Sequence, residues 1–182
     1  MDKLLKFNNR LIKRECKIIA ITFDPYNPLN LPPNTVRVRT SDGNVPKKTS
    51  WAGKYDTATL VPGTSDVYDV YKSGTNFERL LRGSTNVIEV LGANTSGITN
   101  MEAMFYACTL LPNVPLFDTS SVTDMMYTFH NCINVQSGAL ALYQQVSTQA
   151  KPPTFHTGTF MECGSNTQTG AAELAQIPSN WK

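Results

Sequence analysis

The chain has 182 residues, 41% of them hydrophobic and 16% charged, with a formal net charge of +2. That is the balance of a globular chain able to bury a sizeable core, as one domain or as a small domain plus an appendage. It excludes a spanning helix, which needs about 20 consecutive apolar residues, and a nucleic-acid arm, because the basic residues of the N-terminal part (Lys3, Lys6, Arg10, Lys13, Arg14, Arg37, Arg39, Lys47, Lys48) are scattered over strands and turns and read as a solvated face.

In chain order, Leu4 to Phe7 and Arg10 to Lys13 flank Asn8-Asn9, which tolerates the positive φ of a tight turn, so a hairpin is predicted within an appendage over residues 1–24. Cys16 to Phe23 is read as a third apolar strand. Its apolar run is shorter than the roughly 7 to 15 residues of a signal h-region, and no small-residue cleavage site follows, so no export signal is expected. Asp24 to Pro33 holds four prolines in ten residues and is predicted to be a stiff linker or a draped loop. Thr35 to Thr40 alternates with period two, which predicts a strand with Arg37 and Arg39 pointing outward. With Trp51 and Val67 to Tyr71 it completes an expected β-rich cap over residues 34–72.

Two later stretches repeat each other. Ile98-Thr99-Asn100-Met101-Glu102-Ala103-Met104-Phe105-Tyr106-Ala107-Cys108 aligns with Val122-Thr123-Asp124-Met125-Met126-Tyr127-Thr128-Phe129-His130-Asn131-Cys132 at an offset of 24 residues. The spacing i, i+4, i+7 of Met, Phe and Cys places all three on one face of a short helix. A period in the twenties predicts a solenoid, with a degenerate first copy at Asn76, Phe77, Leu80, Leu81 and Ser84. Val87 to Val90 and Leu111 to Val114 take the strand positions, and Ser121 with Asp124 reads as a weakened capping box. A fourth copy at His156, Phe160 and Cys163 follows an insertion of about seven residues predicted to be helical over 137–150, so the solenoid is expected to span 73–163. Gly170 to Ile177 reads as a helix stopped by Pro178, within a C-terminal cap over 164–182.

These repeats resemble those of the BspA-like leucine-rich-repeat proteins of bacteria. Met101 to Cys108 closely matches their Met-x-x-Met-Phe-x-x-Cys ending, Leu110 to Thr123 looks like their strand and following turn, and Met125 to Cys132 departs at Thr128, where a second Met is usual. The resemblance implies an α/β fold: a short leucine-rich-repeat-like solenoid, one strand plus one short helix per coil, between an N-terminal β-rich cap and a C-terminal helical cap. It also implies a cell-surface or extracellular role in adhesion or protein binding. Leu4 to Lys13 resembles the starts of phage or prophage structural proteins, which gives the alternative of a virion-associated component.

No catalytic, cofactor or metal residues are assigned. Cys108, His130, Cys132, His156 and Cys163 could suggest zinc, but repeat-equivalent residues form a ladder with one rung per coil rather than converging on one point. The cysteines are therefore expected to be buried thiols, and an enzyme is not expected, in the absence of a Gly-x-Ser-x-Gly elbow, phosphate loop or His-Glu-x-x-His. Asp118, Asp124 and the sequon Asn94-Thr95-Ser96 read as turn residues. The candidate binding face is the outward side of the strand positions, Ile88, Glu89, Pro112 and Asn113, with another protein as the expected partner; the alternative is a plainly solvated face.

Overall fold

The computed structural model describes residues 24–48 and 53–182. The predicted hairpin, the strand at Cys16 to Phe23 and Trp51 lie outside the described residues.

Four strands form: β1 (Thr35–Thr40), β2 (Thr57–Leu60), β3 (Val67–Tyr71) and β4 (Val87–Asn94). They make one antiparallel sheet in the order β2-β3-β1-β4. The alternation of β1 buries Val36 and Val38 and turns Arg37 and Arg39 to the other face, where partners on the neighbouring strands meet them. Arg37 forks onto Asp69 of β3, with Nε 2.6 Å from Oδ1 and Nη2 2.8 Å from Oδ2. Arg39 Nη1 donates to Glu89 of β4 at 2.7 Å. The stretch Asp24 to Pro33 is a draped loop: Asn27 Oδ1 accepts from the Leu31 amide at 2.8 Å, the Leu31 carbonyl accepts from Asn94 Nδ2 at 2.8 Å, and Leu29 lies over Gly92, where a Cβ would come within 3.1 Å of its Cδ1.

The expected solenoid, with one strand and one helix per coil between two caps, is overturned. The described residues form a small antiparallel sheet with two short helices, and the rest is turn and coil. Two observations carry the correction. Strand β4, whose first residues were expected to be the strand of a coil, is instead the fourth strand of the sheet that was expected to be a cap. The stretches Ile98 to Cys108 and Val122 to Cys132 contain no helix, because Ala103, Ala107, Tyr127 and Asn131 have φ between 52° and 59°, and right-handed helices do not admit such residues. With no helix to start, Asp124 does not cap one. Its Oδ1 accepts from the Met126 amide at 2.9 Å, an Asx turn.

These turns are bonded in an alternating scheme. The amides of Met101, Ala103, Phe105 and Ala107 donate to the carbonyls of Asp124, Met126, Thr128 and His130 in the next repeat, while those of Met104, Tyr106 and Cys108 donate three residues back within their own turn. Every amide from Met101 to Cys108 outside this alternation is Glu102, which donates to Asn100 Oδ1 at 2.7 Å. The backbone is thus satisfied without a helix. Arg79, Gly83, Gly158 and Glu162 take positive φ at the equivalent places in the flanking copies.

The spacing still buries the expected side chains. Phe77, Met101, Met104, Phe105, Cys108, Met125, Phe129, Cys132, Phe160 and Cys163 belong to one core with Val36, Val38 and Val70 of the sheet. Phe105 stacks on Phe129 (centroids 5.2 Å apart), Phe129 on Phe160 (6.2 Å), and Phe160 on Trp181 (6.3 Å). Thr128 replaces the usual Met without leaving a buried hydroxyl unpaired, since Oγ1 lies 2.7 Å from the Met125 carbonyl and 2.9 Å from that of Met101. The insertion folds as α1 (Ala139–Ser147), and the C-terminal stretch as α2 (Gln168–Gln176) with a 3-10 turn at Ser179–Trp181. Leu111 to Val114 is no strand: Pro112 and Pro115 bring no amide to a ladder, and the stretch makes only an isolated parallel bridge, Asn113 to Ser137.

Candidate functional site

Three of the four predicted face residues come together. Glu89 and Val90 of β4, with Leu111, Pro112, Asn113 and Pro115, line a recess of about 110 Å³. Ile88 is half-buried on the same strand but does not line it. The recess exists because β4 is an edge strand whose neighbour cannot pair with it. Among the described residues no backbone hydrogen bond joins β4 to 111–116, whereas the next step of the same series is closed by Val114 N to the Ser137 carbonyl (2.9 Å) and Gln136 N to the Pro112 carbonyl (2.7 Å). Leu110 and Leu116, which flank the lining stretch in the chain, are 44% and 48% exposed. Two of its polar groups are committed: Glu89 to Arg39, and Asn113 Oδ1 to the hydroxyl of Ser137 at 2.7 Å.

The cysteines stack one per repeat. Cys108 Sγ donates to the Leu81 carbonyl at 3.2 Å and Cys132 Sγ to the Phe105 carbonyl at 3.1 Å. Burial pushes the Cys132 thiol up to about 12 and raises those of Cys108 and Cys163, so none is a nucleophile at neutral pH. Among the described residues no three His, Cys, Asp or Glu side chains gather as metal ligands would. His156 sits edge-on to Trp181, with centroids 4.2 Å apart.

His130 occupies a second cleft, of about 380 Å³, lined by Arg82, Glu102, Ala103, Tyr106 and Tyr127. Its ring centroid lies 4.8 Å from that of Tyr106 and 5.6 Å from that of Tyr127, and the Arg82 guanidinium lies 4.5 Å over the Tyr106 ring. Burial holds the His130 imidazole below its ordinary value, Glu162 partly opposing this and Arg82 reinforcing it. Arg82, Glu102, Tyr106 and Tyr127 were not singled out from the sequence. The signal was present, because Arg82, Tyr106 and His130 are spaced by the repeat period of 24 and therefore form one column.

Among the described residues no helix is long and apolar enough to cross a membrane. No curated protein and no solved structure matches the chain. A family model matches residues 70–160, from the end of β3 through both clefts to the Phe stack, which is half of the chain. On that match the chain belongs to the family described as Mycoplasma protein of unknown function, DUF285.

Proposed function

We propose that the chain is a non-enzymatic binding module that holds another protein against the face formed by β4 and residues 111–116. The observation that carries this reading is the recess itself. It joins Glu89 and Val90 on the outer edge of β4 to Leu111, Pro112, Asn113 and Pro115, the chain flanking it exposes Leu110 and Leu116, and exposed apolar side chains among polar groups are the usual make-up of a protein contact. An extended segment of the partner fits best, since it can meet a strand edge through its backbone and place side chains against Leu110 and Leu116. The likeness of Met101 to Cys108 to the repeats of BspA-like proteins supports the same reading, many of those relatives being described as surface proteins that bind other proteins.

Photo-crosslinking tests this. A benzoylphenylalanine at Asn113 should capture one defined protein, a crosslinker at Ser165 should not, and Leu116→Asp should abolish capture without lowering the melting temperature. Binding of the captured protein, once purified, should be lost in the same variant. Equal capture from both positions, or capture unaffected by Leu116→Asp, would refute the assignment of this face.

A further inference from the structure

The cleft around His130 gathers side chains that make no ion pair or side-chain hydrogen bond among the described residues, although the Arg82 guanidinium lies over the Tyr106 ring. The ion pairs among the described residues are Arg37–Asp69, Arg39–Asp66, Arg39–Glu89 and Arg79–Glu78. Arg82 and Glu102 belong to none of them, although both line one cleft. His130 Nδ1 is buried with no partner among the described residues, and the hydroxyls of Tyr106 and Tyr127 likewise meet no described partner. The buried Nδ1 is the informative one, because buried polar groups are ordinarily paired.

The geometry of the walls comes from the repeat. Successive copies carry Arg79, Ala103, Tyr127 and Gly158 at one position and Arg82, Tyr106 and His130 at another. Ala103 is small, which leaves space between the neighbouring large residues of its column. Gly158 lets the Tyr127 ring lie close, since a Cβ there would come within 2.6 Å of ring carbons Cδ1 and Cε1. The cleft, about 380 Å³, is within the range of roughly 300 to 1,000 Å³ typical of small-ligand sites.

The lining specifies the chemistry. Arg82 and Glu102 offer one positive and one negative charge, so an anion or a cation drawn to one is repelled by the other. A ligand that gains from both carries no net charge, either a zwitterion or a neutral molecule whose hydroxyls accept from the guanidinium and donate to the carboxylate as charge-assisted hydrogen bonds, and the aromatic wall favours the second. The tyrosine ring adds a flat amphipathic wall suited to a ligand with an apolar C–H face and a polar rim. We propose that this cleft binds a neutral pyranose, with Tyr127 against the sugar ring and Arg82, Glu102 and His130 on its hydroxyls. This assignment is independent of the protein-binding face.

Saturation-transfer NMR on the full chain tests it, with methyl glucopyranoside, methyl galactopyranoside, methyl mannopyranoside and the corresponding free sugars as probes. The expected result is transfer to the ring C–H protons of at least one pyranose. Affinity should fall about tenfold in Glu102→Gln, the loss expected for one hydrogen bond to a charged group. Tyr127→Phe should keep binding and Tyr127→Ala should lose it. Equal binding of glycoside and free sugar means the site takes the terminal unit of a glycan; binding of free sugar alone means that the anomeric hydroxyl is read. The Glu102→Gln variant alters a group with no described partner and leaves the fold intact, so the test stands even if Tyr127→Ala unfolds. Absence of transfer to every pyranose, binding unchanged in Glu102→Gln, or preferential binding of choline, inorganic phosphate or a zwitterion such as glycine would overturn the proposal.

Discussion

Single side chains fix how the repeats stack. Phe105 and Phe129 are fully buried and lie nearly parallel, with an interplanar angle of 5°. Deleting either ring removes its burial and its stacking partners, so Phe105→Ala and Phe129→Ala should each lower unfolding free energy by about 3 to 5 kcal/mol in denaturant melts. The thiols give a pH signature. The folded-state value of Cys132, about 12, exceeds its ordinary 9.0, so the unfolded chain loses its thiol proton first as pH rises. Its contribution to stability should be complete below about pH 9 and disappear on approach to pH 12. The slope of stability against pH across that window should be steeper in the parent protein than in Cys132→Ala; identical slopes would mean the thiol is accessible to water. The buried residues were legible because the i, i+3, i+4, i+7 spacing commits Met101, Met104, Phe105 and Cys108 to one side of the chain whichever turn carries them. Their backbone was not, since Ala103 and Tyr127 are residue types that give no sign of positive φ. Asn131, and Gly83 and Gly158 at equivalent places in the outer copies, did carry that sign.

Among the elements, α1 shows how a helix is started from outside. Its N-cap is Gly138, whose φ is 95° and which has no side chain to cap with. The carboxylate of Glu173, on α2, takes that place by accepting from the amides of Gly138 (3.3 Å) and Leu140 (3.1 Å), where a negative charge also complements the helix dipole. Glu173→Ala should therefore cost about 1 kcal/mol, the typical value of a lost cap, with reduced hydrogen-exchange protection confined to the first turn of α1. Full protection in the variant would show that the cap contributes nothing. Glycine at 138 is dictated by the chain beneath it, because a Cβ would lie 2.2 Å from the Val114 carbonyl oxygen. The strand at Thr35–Thr40 was readable from alternation and that at Val67–Tyr71 from its β-rich composition, but their shared sheet with β4 was not, because antiparallel pairing over some 50 residues leaves no local mark. The recess has a similar history: Pro112 and Pro115 were visible, yet the strand reading of Leu111 to Val114 ignored the amides they lack.

At the scale of the whole molecule, sheet and repeats share one core. Val36 and Val38 of β1 belong to the same buried cluster as Phe105 and Phe129, and β4 links the two regions directly. The β-rich region expected as a cap thus packs on the repeats through one core, and the two should unfold as a single cooperative unit in which both clefts are held by the same packing. Native-state hydrogen exchange measures this most directly, on the amides of Val36 and Val38 in the sheet and of Phe105 and Phe129, which bond to the Thr128 and Thr159 carbonyls of the following repeats. The account predicts that all four exchange only through global unfolding, with the same free energy and the same denaturant dependence. Exchange of the sheet amides at a lower free energy than the repeat amides, with a smaller denaturant slope, would contradict it and show two independent parts.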